Sequence, residues 1–381
     1  MSAQPAADPL RLPAQVEASI RAAADEMDAI RDIPEELLAE LRDAGAFRLF
    51  TPRELGGFEA PLTTALEVYE RFGRIDASVA WIVWNANWGF IGALLGEAGT
   101  ARLWEPGPEP VFANSGTPGV AVAVRGGYRV SGNWRLVSGI HGADRLIVAA
   151  VITEGDVPRL TQAGTPDVRL FILERGRLSV KDTWHATGLR GSGSNDVLVQ
   201  DALVPDELVA RVDVPARVQR PPYQGFIPGL VFPGCTAVVL GVAQAAIDAT
   251  VELARSKKTL SGGTLAESSQ AVIARSEAAL QAARLLLHAA AEAMAGAATG
   301  DVMLERRAAL RAAMSHGAQV SREVLVAMYE LGGSSSVYRG RPVERLFRDG
   351  MVALQHANHS AAFFEVAGRV RFGMDPGVAL F

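Results

Sequence analysis

Residues 182–205 read DTWHATGLRGSGSNDVLVQDALVP, a glycine- and serine-rich loop that leads into an alternating β-type segment. Short β-type runs separated by Gly, Asn and Pro turns extend back from this loop to about residue 111. Glycines let such a loop bring backbone N–H groups close to a ligand with many acceptors, although an ordinary flexible hairpin loop has the same composition. No helix follows the glycines, which argues against a dinucleotide-binding fingerprint.

Helical patterns flank this β region on both sides. Apolar residues recur at helical spacing at roughly 15–29, 62–73 and 76–95 before it, and at 233–257, 264–298, 302–331 and 340–372 after it. In residues 32–45, DIPEELLAELRDAG, Asp32 is a candidate N-cap and Gly45 a candidate helix end. Because strands do not alternate with helices, a doubly wound sheet is not favoured. The pattern predicts an α+β chain that is mainly α.

Composition narrows the class of partner. The chain has 381 residues, 49% of them hydrophobic, and a formal net charge of −5. No block of Lys and Arg is present, so we expect neither a nucleic-acid nor a membrane partner. The N-terminus lacks a signal-peptide core, and the longest apolar stretch, 79–95, falls short of a bilayer span. Cys235 is the single cysteine, which excludes an internal disulfide and fits a reducing, cytoplasmic location.

Two pairs of residues stand out for their chemistry. Trp134 and Ser138 are four apart on a strand pattern, so we expect them on one face, with the Ser138 hydroxyl exposed at the strand end. His356 and His359, in FRDGMVALQHANHS at 347–360, are three apart and would share one face of a helix. A metal site needs further ligands with their own spacing, and the other four histidines are isolated, so we expect no metal.

Longer stretches carry a family resemblance. Residues 34–57, 127–152 (GYRVSGNWRLVSGIHGADRLIVAAVI), 182–205 and 329–356 (YELGGSSSVYRGRPVERLFRDGMVALQH) resemble successive signatures of the acyl-CoA dehydrogenase superfamily, in the right order. The resemblance implies an N-terminal helical domain (1–108), a central β-barrel domain (109–214) and a C-terminal four-helix bundle domain (215–381). It also implies a flavin between barrel and bundle, and a homotetramer.

An acyl-CoA dehydrogenase needs a carboxylate base, and this sequence has none at either place that the family uses. After Arg348 and Asp349 the chain continues GMVALQHANHS, with no Glu-Gly-Thr, and residues 224–247 contain no acid. The Trp134-x-x-x-Ser138-Gly139 spacing, TGLRGSGSNDV and the histidine after Arg-Asp resemble a different subgroup. They are similar to the reductase-fed (two-component, group D) flavin-dependent monooxygenases of this superfamily.

The subgroup resemblance implies an oxidoreductase that receives reduced FMN or FAD from a separate flavin reductase. With O2, through a C4a-hydroperoxyflavin, it would hydroxylate or oxidise a small aromatic or amine substrate. The acid-free apolar segment and the tryptophans before residue 90 suit the dry pocket that this chemistry needs. Two alternatives stay open: an acyl-CoA dehydrogenase or oxidase with a non-standard base, and a relative that has lost turnover.

The resemblance also assigns site residues. Ser138 would hydrogen-bond the flavin N5 or peroxide edge, and His356 would be the catalytic acid or base. Flavin contacts are further expected from Asn114, Ser115, Trp134, Trp184, Arg190, Ser192, Gly193, Ser194, Gly332, Gly333 and Ser334. The substrate mouth would include Trp84, Trp88 and His359. Turn chemistry, barrel-core packing and ordinary helix packing remain the alternatives for these residues, and packing is favoured for His359.

Overall fold

The structure is a computed structural model that describes residues 8–105, 107, 109–161, 164–256, 265–295 and 300–378. Helices form both ends of the chain and a sheet lies between them in sequence, so the predicted α+β, mainly α organisation is confirmed. The N-terminal helices are α1 (Leu12–Ile30), α2 (Glu35–Ala44), α3 (Leu62–Ile75), α4 (Ala77–Ala86) and α5 (Glu97–Trp104).

The start of α2 differs from the sequence prediction. Pro34 is the N-cap of this helix, so the expectation that Asp32 caps it is wrong. Asp32 instead accepts the Ile33 N–H and pairs with His141, which ties the segment before α2 to the β region. Gly45 ends the helix at φ 94°, as the sequence predicts, because glycine adopts the left-handed conformation without steric cost.

The apolar stretch 79–95 is a buried helix followed by a turn. α4 ends at Ala86, and a 3-10 turn, Gly89–Ala93, follows it, so the predicted single helix over 76–95 is wrong in its second half. Asn87 stops the helix because its side chain accepts the Leu49 N–H and donates to the Ala46 carbonyl. This amide satisfies backbone groups of the preceding loop that would otherwise be buried unpaired.

A sheet of eight strands forms the middle of the chain. The strands are β1 (Phe112–Val124), β2 (Gly127–Val137), β3 (Arg145–Glu154), β4 (Val157–Pro158), β5 (Val168–Glu174), β6 (Ser179–Lys181), β7 (Asn195–Pro205) and β8 (Val209–Ala210). Their order is β6-β7-β2-β1-β3-β5-β8, with β4 paired to β3. β1 and β3 run parallel and the other pairs are antiparallel.

An irregularity near the end of β2 changes where its residues point. Leu136 has φ 57°, and the register with β7 shifts between Trp134 and Val137. The strand ends at Val137, so Ser138 lies outside it. The simple alternation that would place Trp134 and Ser138 on one face is therefore broken.

The C-terminal helices are α6 (Gly234–Ser256), α7 (Leu265–Ala293), α8 (Gly300–Gly332), α9 (Pro342–Ala353) and α10 (Ala362–Arg371). α6 packs against α7, α8 and α9, and also against α3 of the N-terminal part. The segment Ile227–Arg255 is long and apolar enough to span a membrane by length and composition, and 83% of its apolar window is buried inside the protein. That burial is what a central core helix requires.

The α3–α6 crossing is close because both helices have glycine at the contact. A Cβ on Gly241 would lie 2.1 Å from the Glu70 carbonyl oxygen, and one on Gly73 would lie 2.5 Å from the Val238 carbonyl oxygen. Only glycine allows the two backbones to approach this far. The crossing fixes the N-terminal helices on the C-terminal ones.

Candidate active site

A chain of buried hydroxyls lies where β2 ends, so the expectation that the Ser138 hydroxyl is exposed there is wrong. The Ser138 and Ser194 Oγ atoms are 2.8 Å apart, and the Ser194 and Ser192 Oγ atoms are 2.7 Å apart. The Gly139 N–H donates to the Ser192 carbonyl at 2.8 Å, which fixes the strand end against the glycine-serine loop. The two loops that the sequence singled out therefore meet, and three of their predicted flavin residues form one network.

Trp81 joins this network to an aromatic cluster. Its Nε1–H donates to Ser138 Oγ at 3.2 Å. The Trp81 ring contacts Trp84 edge-on at 4.8 Å between centroids and His356 at 5.6 Å. Trp84 also contacts His356, at 5.3 Å, and its Nε1–H donates to the Val231 carbonyl. The structure thus brings Ser138, Trp84 and His356 together, although they are far apart in sequence.

Trp81 was expected only among the tryptophans that keep the pocket dry, and its hydrogen bond to Ser138 was not predicted. Trp81 and Trp84 are three apart on α4, so their side chains share a helix face. That spacing is a signal that the sequence offers. It is not decisive, because a pair of tryptophans on one face of a buried helix also fits an ordinary core. Asn85, one residue further, makes a second hydrogen bond that was not predicted, since its carbonyl accepts the Asn114 side-chain amide at 2.7 Å.

His356 does not lie on a helix. α9 ends at Ala353, and His356 has extended backbone (φ −62°, ψ 138°) at the start of a 3-10 turn, Ala357–His359. The expectation that His356 and His359 share a helix face is therefore wrong, as is the single predicted helix over 340–372. The His356 Nδ1 accepts the Asn358 N–H at 3.2 Å, so the side chain itself caps the turn that follows it.

The His356 imidazole is neutral near pH 7. Burial, and to a smaller extent the nearby Arg311 guanidinium, lower its pKa to about 4. An imidazole that accepts at Nδ1 carries its proton at Nε2 when neutral. Nε2–H is therefore the group that His356 can offer to a bound molecule.

His359 is buried without a hydrogen-bond partner. Its side chain is 6% exposed, and neither ring nitrogen has a partner among the described residues. Burial lowers its pKa to about 3, with a smaller contribution from His356, whose ring centroid is 6.2 Å away. The placement agrees with the packing interpretation, and its predicted contact with the substrate mouth stays a prediction.

The glycine-serine loop is held from two sides by other parts of the chain. The Arg190 Nε–H donates to the Asp28 carbonyl of α1 at 2.7 Å, so its guanidinium is already engaged. The Leu189 N–H donates to Asp349 of α9 at 2.8 Å. A Cβ on Gly188 would lie 2.2 Å from the Arg348 carbonyl oxygen, so glycine is needed for this approach.

Charged residues of α9 fix that helix against the N-terminal part. Arg348 pairs with Asp28 at 2.7 Å and Arg345 with Asp76 at 3.2 Å. Asp349 is buried, and burial raises its pKa to about 7 despite both arginines. These residues position the loop rather than line the hydroxyl network.

The remaining predicted flavin residues lie in the glycine-serine loop, on β1 and in the sheet core. Trp184 is half-buried, and its Nε1–H donates to the Leu189 carbonyl within the loop. Asn114 lies on β1 and is anchored to Asn85, and Ser115 is the last residue before a register shift in β1. Trp134 is 1% exposed and lies in the sheet core, with its Nε1–H donating to a strand carbonyl.

Two further predicted regions lie elsewhere in the sequence of elements, one after α4 and one after α8. Trp88 packs on Phe90, with ring centroids 5.1 Å apart. The turn that contains Gly332, Gly333 and Ser334 follows the C-terminus of α8, about 30 Å along that helix from Arg311 at a rise of about 1.5 Å per residue. Across the part of the chain that the structure describes, no group of three or more His, Cys, Asp or Glu side chains is arranged for a metal ion.

These features fit a flavin better than a metal. The buried hydroxyls, the Trp81 N–H and the His356 Nε2–H offer directed polar groups beside broad aromatic surfaces, which is how flat cofactor and ligand sites are built. Ser138, Ser194 and Asn114 are the side chains of this set best placed to hold a flavin ring.

Comparison with known proteins shows the family of the chain. The N-terminal domain model of the acyl-CoA dehydrogenase family matches residues 13–104, and its C-terminal domain model matches residues 234–361. Indole-3-acetate monooxygenase of Pseudomonas putida is 30% identical, over 93% of this chain and 91% of that protein. The oxygenase subunit HsaA, a flavin-dependent monooxygenase of Mycobacterium tuberculosis, is 27% identical, over 94% of this chain and 93% of that protein.

Solved structures show the same fold. XiaF from Streptomyces sp., in complex with FADH2 and glycerol, has a TM-score of 0.86 at 23% identity, covering 98% of this chain and 97% of that one. The HsaA monooxygenase from M. tuberculosis also has a TM-score of 0.86, at 24% identity, covering 99% of this chain and 100% of that one. The chain belongs to the flavin-dependent monooxygenases of the acyl-CoA dehydrogenase superfamily.

Proposed function

We propose that the protein is the oxygenase component of a two-component system. It takes reduced FMN or FAD from a separate flavin reductase and uses O2 to hydroxylate or oxidise a small aromatic substrate. The observation that carries the proposal is the meeting of Ser138, Trp81, Trp84 and His356 in one buried cluster. The names of the relatives, an indole-3-acetate monooxygenase and a resorcinol hydroxylase among them, support the aromatic class of substrate.

Each part of the cluster has a separate task. When bound, a reduced flavin supplies the electrons that activate O2. The Ser138 and Ser194 hydroxyls hold the polar edge of the ring, and Trp81 fixes the direction of the Ser138 hydroxyl by donating to it. Trp81 and Trp84 exclude water, which strengthens every hydrogen bond made inside the site.

His356 acts in this proposal by donating a hydrogen bond. Because its Nδ1 is used by the Asn358 N–H, its Nε2–H faces outward and can hold an oxygen atom of the substrate. Its lowered pKa keeps the imidazole neutral, so it does not add a buried positive charge to the site. This role is narrower than the acid or base that the sequence resemblance implied.

The finer architecture belongs to the same proposal. We infer that the sheet closes as a β-barrel domain (109–214), that the C-terminal helices form a four-helix bundle domain (215–381), and that residues 1–108 are the N-terminal domain. The mutual packing of α6, α7, α8 and α9 supports the bundle. A cytoplasmic homotetramer, in which the turn 331–336 meets a flavin held by a neighbouring subunit, belongs to the same proposal.

The acyl-CoA dehydrogenase alternative lacks its base. Residues 224–247 and 350–360 contain no carboxylate, and the buried Asp349 is engaged by the Leu189 N–H and by arginines. No other described feature favours that reaction.

A single-turnover experiment tests the function. The protein, reduced flavin and ¹⁸O2 are mixed with a panel of indoles, phenols and amines, and labelled product and hydrogen peroxide are both quantified. We expect one ¹⁸O atom in the product of an aromatic member. Complete conversion of O2 to hydrogen peroxide with every member would refute the proposal.

Two variants of one residue separate the roles of His356. His356→Ala should lower product formation about 10²-fold, and His356→Gln, whose amide still donates a hydrogen bond, should retain more than a tenth of it. Equal losses in both variants would favour a base instead of a donor. His185→Ala is the control, because that imidazole is 65% exposed and lies on the surface beside Asp182.

A further inference from the structure

Arg311 is a buried cation with no acidic partner. It lies on α8, and only 3% of the residue is exposed. Its Nη1–H donates to the Asn358 Oδ1 at 3.0 Å, and its Nε–H has no acceptor. Among the described residues no carboxylate pairs with it, whereas the half-buried to buried Arg284, Arg345 and Arg348 all have ion pairs.

An unpaired charge at this depth is costly to a folded protein. Burial lowers the Arg311 pKa to about 10, so the guanidinium is still positive at neutral pH. The faces of Phe232 and Phe363, with centroids 4.1 and 4.3 Å from the guanidinium carbon, offset part of that cost. They do not replace a counter-anion, and they leave the Nε–H without an acceptor.

The position of Arg311 links it to the candidate active site. Asn358, which accepts from Arg311 through its side chain, donates to the His356 imidazole through its backbone N–H. Arg311 is also close enough to influence Cys235, in the first turn of α6, within the acid-free segment 224–247. Arg311 therefore places a positive charge beside the candidate active site.

We propose that Arg311 and Asn358 bind the carboxylate of an aromatic acid, and that this is the substrate class of the oxygenase. The inference rests on the proposed function and narrows its substrate. The carboxylate supplies the missing counter-charge and an acceptor for the Nε–H, and the aromatic part takes the side of Trp84 and His356. Phe232 and Phe363 are each only half-buried, so one ring moves aside to admit the carboxylate.

Arg307 provides an internal comparison. It lies four residues earlier on α8 and stacks on Phe226 at 4.1 Å in the same manner, and burial lowers its pKa as well. Its ring partner is Phe226, whereas Arg311 stacks on Phe232 and Phe363 and donates to Asn358. A purely structural cation–π role would make the two arginines equivalent, whereas an anion site requires Arg311 alone.

The test measures binding without turnover. Indole-3-acetate and phenylacetate, each with its uncharged carboxamide, are titrated calorimetrically into the full-length protein under argon, with and without oxidised flavin. We expect each acid to bind about ten-fold or more tightly than its amide. Arg311→Met should abolish that preference and Arg307→Met should keep it, with circular dichroism and thermal unfolding confirming that both variants fold.

Each other outcome overturns the inference. Equal binding of acid and amide to the unmodified protein does so even if Arg311→Met fails to fold. A preference that survives in folded Arg311→Met removes Arg311 from the site. A simple phenol that binds as tightly as the acids shows that a phenolate, not a carboxylate, is recognised. The titration uses neither reduced flavin nor O2. An acid preference can therefore be observed even if the ¹⁸O experiment gives no labelled product, and labelled product can be observed without an acid preference.

Discussion

At the scale of single residues, Trp81 connects the two halves of the site. Its indole N–H donates to Ser138, and its ring packs edge-on against His356 and Trp84. The sequence resemblance identified Ser138 and His356 because they occupy positions in recognisable motifs. It did not predict that Trp81 joins them, since a tryptophan on a buried helix has no local feature that separates a site from a core.

Removing the Ser138 hydroxyl should affect both chemistry and stability. Ser138→Ala leaves the buried Trp81 N–H without its acceptor, which costs about 1–3 kcal/mol of the free energy of unfolding. The same change should raise the share of O2 released as hydrogen peroxide in single-turnover assays. Ser131→Ala is the control, because Ser131 lies on β2 and its exposed hydroxyl accepts the Asp201 N–H of β7. An unchanged peroxide fraction in Ser138→Ala would remove Ser138 from the site.

The two buried histidines should make the protein sensitive to acid. Their folded pKa values of about 4 and about 3 lie below the unfolded value of about 6.5, so the unfolded chain binds protons first as the pH falls. Stability is retained above about pH 6.5 and decreases below it, by about 2 kcal/mol per histidine at pH 5. Urea unfolding at pH 7.5 and pH 5 measures the difference.

His359→Leu isolates one of these contributions, because leucine is buried without titrating. The variant should lose less stability between pH 7.5 and pH 5 than the unmodified protein does. Equal losses in the two proteins would show that His359 titrates normally.

At the scale of elements, the break between α9 and α10 is the main departure from the sequence prediction. Residues 340–372 carry a helical apolar pattern, and the first glycine after residue 350 is Gly368. The break arises from side chains instead: the His356 Nδ1 accepts a backbone N–H, and Ser315 of α8 donates to the Ser360 carbonyl. Contacts with a helix 45 residues away cannot be found from local periodicity.

Replacing a helical glycine with alanine should have opposite effects on stability at two positions. Gly241→Ala places a Cβ 2.1 Å from the Glu70 carbonyl oxygen at the α3–α6 crossing, and we expect a loss of about 1–3 kcal/mol or more. Gly368, in α10, has nothing within 4 Å of a built Cβ, so Gly368→Ala should be neutral or stabilise by up to about 1 kcal/mol. Thermal unfolding of both variants checks the pair, and similar effects in both would contradict the crossing geometry.

At the scale of the whole molecule, the order of helices, strands and helices could be predicted because patterning and turn residues are local. The assembly of the site could not be derived in that way. Arg190 reaches Asp28 across 162 residues of sequence, and Leu189 reaches Asp349 across 160. Only the family resemblance related such distant segments. The structure joins Ser138 and His356 through Trp81, and the conformation around His356 differs from the predicted helix.

The proposed homotetramer makes a prediction about the exposed C-terminal segment. Phe372 is 80% exposed and Met374 is 53% exposed, and large apolar side chains left in water are typical of an interface. Light scattering should give a mass of about four chains of 40.3 kDa. Replacing both residues with serine should lower that mass, whereas Val157→Ser, at an exposed site on β4, should not. A tetramer in the double variant would place the interface elsewhere.

The hydrogen bond from the Asn358 amide to His356 has a consequence for spectroscopy. Protonation of the imidazole at Nδ1 removes the acceptor, so the Asn358 N–H must then change its environment. The ¹⁵N and ¹H chemical shifts of this single amide therefore follow the charge of the histidine. They give a direct titration curve for the active-site imidazole in the intact enzyme, with or without a bound aromatic acid.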